Sequence, residues 1–377
     1  MGYVLTDEQK DLKSMVANFM SKEVKPHLAA IDESGEFPID IYKQAFDIGL
    51  HMLEIPEQFG GSGLDHQTVG ILLEEMGYYD PGFAITMLCS ALALKCVLIG
   101  GTDEQKARVS NLIGEGGFGA FCLTEADAGS DAASLKTSYR EDKDGYIIDG
   151  SKCFVTNGEF ADVYIVFATK DKKLGPKGIS AFIVEKDRNG VMVGSHENKM
   201  GLRLSNTCDV AFQEVRIPKE NLLGEEGKGF NIDMAGLDEG RLHNACISTG
   251  ICQAALDEAV KYAKERKTFG IPIIKHQAVQ MILADMAINT EASHQLVRSG
   301  MYALDMNLPT TKIASMAKTF CADSAVKVTT DAVQVLGGYG YSKDYPVEKM
   351  MRDAKIFQIF EGTNQIQRMV IARELAK

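Results

Sequence analysis

Glu361 stands between an aromatic and a glycine in the run Phe360-Glu361-Gly362-Thr363-Asn364-Gln365-Ile366-Gln367-Arg368, at a turn between two helical stretches. A carboxylate buried in such a turn can serve as a general base, its pKa raised toward neutrality. Read alone, it is equally a solvated loop residue. Upstream lies Gln334-Val-Leu336-Gly337-Gly338-Tyr-Gly340-Tyr341, whose paired glycines let backbone N–H groups approach an anion with no Cβ in between. In Phe121-Cys-Leu123-Thr124-Glu-Ala-Asp-Ala-Gly129-Ser130-Asp131 a strand runs into a loop with hydroxyls and free N–H groups. That loop suits a phosphate or the edge of a flat ring, and otherwise is a polar turn. Phe154, two residues before Thr156 at the end of another strand, can stack on such a ring while the threonine bonds to its edge. The plain alternative there is a strand closing on the Asn157-Gly158 turn.

Charged pairs supply the rest. Asp238 and Arg241 are three apart and share a helix face. On a surface such a pair contributes under about 1 kcal/mol. Arg266 precedes Thr268, Phe269 and, further on, Gln277, and its planar fork is shaped for a pyrophosphate. The seven histidines show no H-x-x-x-H or Cys/His spacing, so no metal site is expected. The eight cysteines form no C-x-x-C pair and sit mostly in apolar runs, as buried reduced thiols do.

These residues need elements to hold them, and 377 residues exceed one ordinary core. From Leu5 to about residue 115 the periodicity is helical, with Thr6 and Gln9 spaced as a capping box and an apolar helix from Pro81 to Ile99. Between about 118 and 220, short β-branched and aromatic runs alternate with turn residues, which predicts a β-barrel or sandwich. From Phe230 long helical segments return. The expected fold is therefore α+β and multidomain: an all-α domain at 1–116, a β domain at 117–224 and a helical bundle at 225–377. Gly114-Glu-Gly116-Gly-Phe-Gly119 matches G-x-G-x-x-G, but a helix precedes it and a strand follows, the reverse of the dinucleotide fingerprint. It reads as a hinge. A net charge of −12 disfavours nucleic acid, and no apolar run reaches the roughly 20 residues that span a bilayer. The opening residues lack signal-peptide or transit-peptide character, although Met1-Gly2 with Thr6 fits a bare myristoylation pattern.

Taken together, the four segments resemble the acyl-CoA dehydrogenase family over essentially the whole chain. The resemblance implies a three-domain fold, FAD as cofactor, and dehydrogenation of an acyl-CoA to the trans-2-enoyl-CoA with electrons passed to electron-transferring flavoprotein. It places Phe121, Leu123, Thr124, Phe154 and Thr156 around the flavin ring, and Ser130 at the pyrophosphate and thioester region. Arg266, Thr268, Phe269, Gln277, Gln334, Leu336, Gly337, Gly338, Thr363 and Gln365 also contact FAD, some of them from a neighbouring subunit of a homotetramer. Asp238 and Arg241 face the pantetheine of CoA, and Phe360 and Gly362 flank the substrate. Some members carry the base on the helix of Asp238, at the position of Gly240, where a glycine can abstract no proton. The implied base is therefore Glu361, whose backbone N–H and a ribityl hydroxyl would hold the thioester oxygen while hydride leaves for flavin N5. Three positions depart from the usual pattern: Ala126-Asp127 replaces Pro-Gly, Phe154 a more common Trp, and Phe360 a more common Tyr.

The acyl group is expected to be short, such as butyryl, with medium, branched or aryl groups as alternatives. Its chain length would be set beside the 83–97 helix by Met87, Ser90, Ala91 and Leu94. The same residues would serve an enoyl-CoA reductase; an acyl-CoA oxidase or a non-catalytic acyl-CoA binder fits the sequence less well. A cytoplasmic protein without membrane insertion is the expectation.

Overall fold

A computed structural model describes residues 4–377; Met1 and Gly2 of the myristoylation pattern lie outside the described residues. Thr6 opens α1 (Asp7–Phe19) as the expected capping box, its hydroxyl accepting from the Gln9 N–H at 3.1 Å while Gln9 Oε1 accepts from the Thr6 N–H at 3.2 Å. A π turn then carries Met20 and Val24 into the core in line with Val16. Next come α2 (Leu28–Ser34), α3 (Ile39–Asp47), α4 (His66–Tyr79), α5 (Pro81–Gly100) and α6 (Asp103–Gly114). Asp80 caps α5 by accepting from the Phe83 N–H at 2.7 Å, and Pro81 takes the first helical position, where a missing N–H costs nothing. α5 is long and apolar enough to cross a membrane, yet 78% of its most apolar window is buried by other elements of the chain. Polar residues on α5 are few because it is enclosed on all sides.

The Gly114–Gly119 segment joins α6 to a strand, β1 (Phe118–Cys122), as its flanks predicted. Then follow β2 (Ser138–Asp142), β3 (Gly145–Thr156), β4 (Ala161–Thr169), β5 (Ile179–Glu185), β6 (Val191–His196), β7 (Thr207–Pro218) and β8 (Leu222–Leu223). They form one mixed sheet in the order β6-β7-β3-β2-β4-β5-β8, with β1 pairing β4 in parallel. β4 is apolar on both faces for a reason: Val163, Ile165 and Phe167 pack toward α5 and α6, while Tyr164, Val166 and Ala168 enter a second core with Phe182 and Phe212.

The remainder is helical: α7 (Gly229–Glu265), a two-strand hairpin of β9 (Lys267–Thr268) and β10 (Ile271–Pro272), α8 (Gln277–Asp305), α9 (Thr311–Leu336), α10 (Val347–Ala354) and α11 (Asn364–Leu375). α7 packs against α4, α5, α8 and α9, so one helix links the N-terminal helices to the C-terminal bundle. All eight cysteines are thiols in the fold.

A buried ion triad locks the α4–α5 corner to α10. Lys349 Nζ donates to Asp80 Oδ2 at 2.5 Å and to Asp353 Oδ2 at 2.6 Å, and Asp353 Oδ1 accepts from the Leu202 N–H at 2.7 Å. Both carboxylates are fully buried. Lys349→Met would leave them facing each other without a counter-charge, and should cost about 3–5 kcal/mol in a denaturant titration. Burial already raises Asp353, and losing the ammonium raises it further. A raised carboxyl favours the fold only below its folded pKa, so the loss should grow as pH rises through that value. An unchanged midpoint at neutral pH would contradict this role.

Candidate active site

A cavity of about 730 Å³ opens where the β domain meets α5, α7 and the segment before α11. Eleven of the residues singled out from sequence line it. The β domain contributes Phe121, Leu123, Thr124, Ser130, Phe154 and Thr156; α7 contributes Asp238 and Arg241; and the last turn contributes Phe360, Glu361 and Gly362. Residues more than 100 positions apart thus share one wall.

Each wall is held by its own hydrogen bonds. The 123–131 loop is pinned by a buried pair that the motif reading missed. Lys152 Nζ, with no exposed surface, donates to Glu125 Oε1 at 2.8 Å and to Leu123 O at 3.0 Å. The other Glu125 bonds come from the Lys136 N–H at 2.6 Å and the Thr137 N–H at 2.9 Å. Cys153 N–H donates to Thr124 O at 2.9 Å, tying β3 to the same loop. Phe154 adopts a left-handed backbone (φ 55°) and leaves 66% of its side chain exposed in the cavity wall. An uncovered aromatic ring on a strained strand end is what a stacked planar group would require.

Glu361 is the second strained position, with φ 55°, followed by Gly362 with φ 82°. Gln367 Nε2 donates to Glu361 O at 2.9 Å, and Lys318 Nζ donates to Gly362 O at 2.8 Å and to Asn364 Oδ1 at 3.0 Å. At φ 82° a side chain on residue 362 would be strained, and its Cβ would fall 2.6 Å from Gln367 Nε2 and push that amide off Glu361 O, so glycine suits this turn. On α7, a Cβ added at Gly240 would stand 3.5 Å from Glu361 Oε2. The glycine expected to leave the rival position empty therefore faces the Glu361 carboxylate directly. Burial raises the pKa of Glu361; Arg241, Lys318 and His243 pull against it.

The Asp238–Arg241 pair is no surface bridge. Arg241 is 7% exposed and bonds Asp238 Oδ1 at 2.6 Å, while Thr311 Oγ1 donates to Asp238 Oδ2 at 2.5 Å.

The whole chain carries a known likeness. Family profiles described as acyl-CoA dehydrogenase N-terminal, middle and C-terminal domains match residues 6–116, 120–215 and 227–376. The chain belongs to the acyl-CoA dehydrogenase family. An acyl-CoA dehydrogenase of Bacillus subtilis (strain 168) is 43% identical over 98% of both chains. The structure of butyryl-CoA dehydrogenase from Megasphaera elsdenii superposes with a TM-score of 0.97 at 41% identity, covering all of both chains. A chain in the structure described as the electron transferring flavoprotein of Acidaminococcus fermentans matches equally well, at 43% identity and a TM-score of 0.97 over all of both chains. This family member is a FAD-dependent oxidoreductase with the three-domain fold.

The remaining predicted contacts lie outside the cavity. Arg266, Phe269, Gln277, Gln334, Gly337 and Gly338 are exposed on an outer face, Phe269 at 96% on the tip of the β9–β10 hairpin. Arg266 stacks over the Tyr339 ring at 5.7 Å, which brings the hairpin and the glycine segment together. Thr268 Oγ1 instead pairs with His276 Nε2 at 3.0 Å, and Leu336 is buried in the helical core. Thr363 spends its hydroxyl capping α11 at the Ile366 N–H (3.2 Å), and Gln365 is exposed.

One reading needs correction. Met87, Ser90, Ala91 and Leu94 do not line the cavity; Ile85, Leu88, Cys89 and Leu92 do. The lining face of α5 is rotated from the expected one. Met87 and Leu94 pack into separate cores, and Ser90 Oγ accepts from Asn157 Nδ2 at 3.2 Å. The uniform apolarity of α5 hid which side faced the cavity. A partly buried cluster that histidine spacing does not show lies behind Glu361: side-chain N and O atoms of Glu54, His66, Glu239 and His243 lie within 4.8 Å of one another. Lys95 Nζ already occupies Glu239 Oε1 at 2.8 Å, so a cation is built into it. Burial alone would raise Glu54, but the His243 charge beside it and Lys95 carry it well below the usual range.

Proposed function

We propose that Glu361 is the base that removes the α-proton of a short acyl-CoA, in a reaction that yields the trans-2-enoyl-CoA and passes electrons to an electron-transferring flavoprotein. One observation carries this reading: a carboxylate on a strained turn, raised by burial, lies directly against the empty Gly240 position and lines the cavity that the flavin-type motifs also line. Bound FAD would supply the hydride acceptor for the β-carbon. The chain supplies the rest. Phe154 and Thr156 offer a stacking face and an edge hydroxyl, and Leu123 and Thr124 sit beside them on a loop that Glu125 and Lys152 hold still. Asp238 and Arg241 would meet the pantetheine, and Phe360 closes the acyl end with an apolar ring set edge-on to Phe357 at 5.0 Å. The left-handed turn presents the backbone N–H of Glu361 as a donor for the thioester oxygen, where enolate charge develops. A water-poor wall strengthens that bond.

The outer-face residues Arg266, Phe269, Gln277, Gln334, Gly337 and Gly338 are proposed to hold the remainder of FAD across a subunit boundary in a homotetramer. A nearly fully exposed phenylalanine at a hairpin tip favours a partner surface. The proposed folding units are 1–116, 117–224 and 225–377. The proposed setting is the cytoplasm, consistent with eight unpaired thiols.

The test is direct. The purified yellow protein should scatter light as four chains and should reduce electron-transferring flavoprotein on addition of butyryl-CoA. A colourless protein, or no flavin bleaching with any acyl-CoA under anaerobic conditions, would remove the enzymatic reading. A single-chain mass with full flavin content would remove the shared-site reading.

A further inference from the structure

Asp233 is a carboxylate with nothing to do. It lies on α7 with 1% of its surface exposed, and neither Oδ1 nor Oδ2 has a hydrogen-bond partner in the protein. Its neighbours along the helix, Phe230, Ile232 and Met234, are apolar, and it lines the same cavity as Glu361. Burial and then the Glu361 charge push it up to about 7, against the opposing pull of Arg241. An unpaired buried carboxylate is a costly group for a fold to keep. Such a group is retained where something that enters the cavity completes it.

The polarity of the wall says what enters. One and two turns further along α7 come Leu237 and Arg241, and a third turn brings Asn244, all lining the cavity. Asn244 is buried and donates through Nδ2 to Gly240 O at 2.8 Å, which leaves Oδ1 as its free atom. Arg241 keeps one free donor, Nε, while the free atoms of Asp233 and Asn244 on either side of it are acceptors. Their complement is a hydrogen-bond donor, and a plain alkyl chain has none. We infer that the acyl group this enzyme accepts carries a hydrogen-bond-donating substituent, a hydroxyl or an ammonium, which Asp233 receives. This deepens the dehydrogenase reading and rests on it. It also revises the expectation of a simple saturated chain such as butyryl.

The test compares kcat/KM with a dye acceptor for butyryl-, 4-hydroxybutyryl-, 4-aminobutyryl- and succinyl-CoA, using the wild-type flavoprotein, Asp233→Asn and Asp233→Leu. The wild type should favour the hydroxyl or the amino thioester over butyryl-CoA by tenfold or more, and should disfavour the anionic succinyl group. Asp233→Leu should cut that ratio by at least tenfold. Asp233→Asn distinguishes the donors, because an amide oxygen still accepts from a hydroxyl but no longer balances an ammonium. Wild-type preference for butyryl-CoA overturns the inference. So does a ratio that Asp233→Leu leaves unchanged, or an equal loss on all four thioesters, which would assign Asp233 to the amides of the CoA arm. If Asp233→Leu fails to fold with flavin, the wild-type panel and Asp233→Asn decide alone. Absence of turnover with every thioester is a different failure, that of the dehydrogenase reading itself.

Discussion

Glu361→Gln should remain yellow and folded while turnover falls by roughly 10³-fold or more, the scale expected when a general base is removed with its shape preserved. The amide keeps the volume of the carboxylate and leaves the turn intact, since Gln367 and Lys318 bind backbone carbonyls and not the Glu361 side chain. Loss of activity would then report the missing base. Substrate binding should survive, so kcat falls more than KM changes. The wild-type pH profile supplies a second readout. Because burial raises Glu361, its active ionised form is lost as pH falls, and kcat/KM should carry an acid limb displaced upward from an ordinary glutamate. Glu361→Gln should erase that limb. Near-normal turnover by the variant, or an acid limb that persists in it, would take Glu361 out of the proposed mechanism.

Lys318→Met is expected to produce the second-largest effect without touching any reacting atom. Lys318 lies on α9 with 1% exposure and pins the base-bearing turn through Gly362 O and Asn364 Oδ1. Burial lowers its pKa to about 8, an influence that the nearby Glu361 charge opposes. Methionine fills the same stem volume, leaves Asn364 Oδ1 without its donor and Gly362 O with only the 3.3 Å bond from Gln367 Nε2, a cost of about 1–3 kcal/mol. A turn in a left-handed conformation has little reserve against that loss. A shift of the base by about 1 Å costs on the order of 100-fold in rate. The variant should thus lose about 100-fold in kcat with a smaller change in KM. Removing a positive charge near Glu361 also raises the base further, so the acid limb should move to higher pH. Arginine at 318 should restore the position of the limb better than methionine does, if it fits. A kcat within twofold of wild type with an unmoved limb would show that Lys318 is only a structural cation.

The site was legible in the sequence to the extent that its motifs are local. Phe154 two residues before Thr156, the Gly129-Ser130 loop and the Phe360-Glu361-Gly362 turn each sit at the end of one element, and short-range spacing decides what such a run presents. Gly240 gained meaning only through the family resemblance, which marks its position as the rival site for the base. The α5 lining could not. With Met87, Leu88, Ala91 and Leu92 all apolar, no periodicity distinguishes the face turned to the cavity from the face turned to the sheet. The Glu125–Lys152 pair and the cluster of Glu54, His66, Glu239 and His243 were hidden for a different reason. Their members are each unremarkable in sequence, and only packing takes them out of water and into each other's reach.

Sequence by itself determined the order of helices, strands and helices, the helix cap at Thr6, and the identity of the residues able to do chemistry. These depend on backbone propensity and on side-chain type, which neighbours a few positions away fix. The tertiary structure alone decided burial and encounter. It brought Glu361 across from Gly240, set Lys318 beneath the turn, buried the Asp238–Arg241 pair that looked like a surface bridge, and left Asp233 without a partner in the cavity wall. Each of those outcomes turns on contacts between segments distant in the chain and on the dielectric they create. A carboxylate's charge, and so its function, is set there.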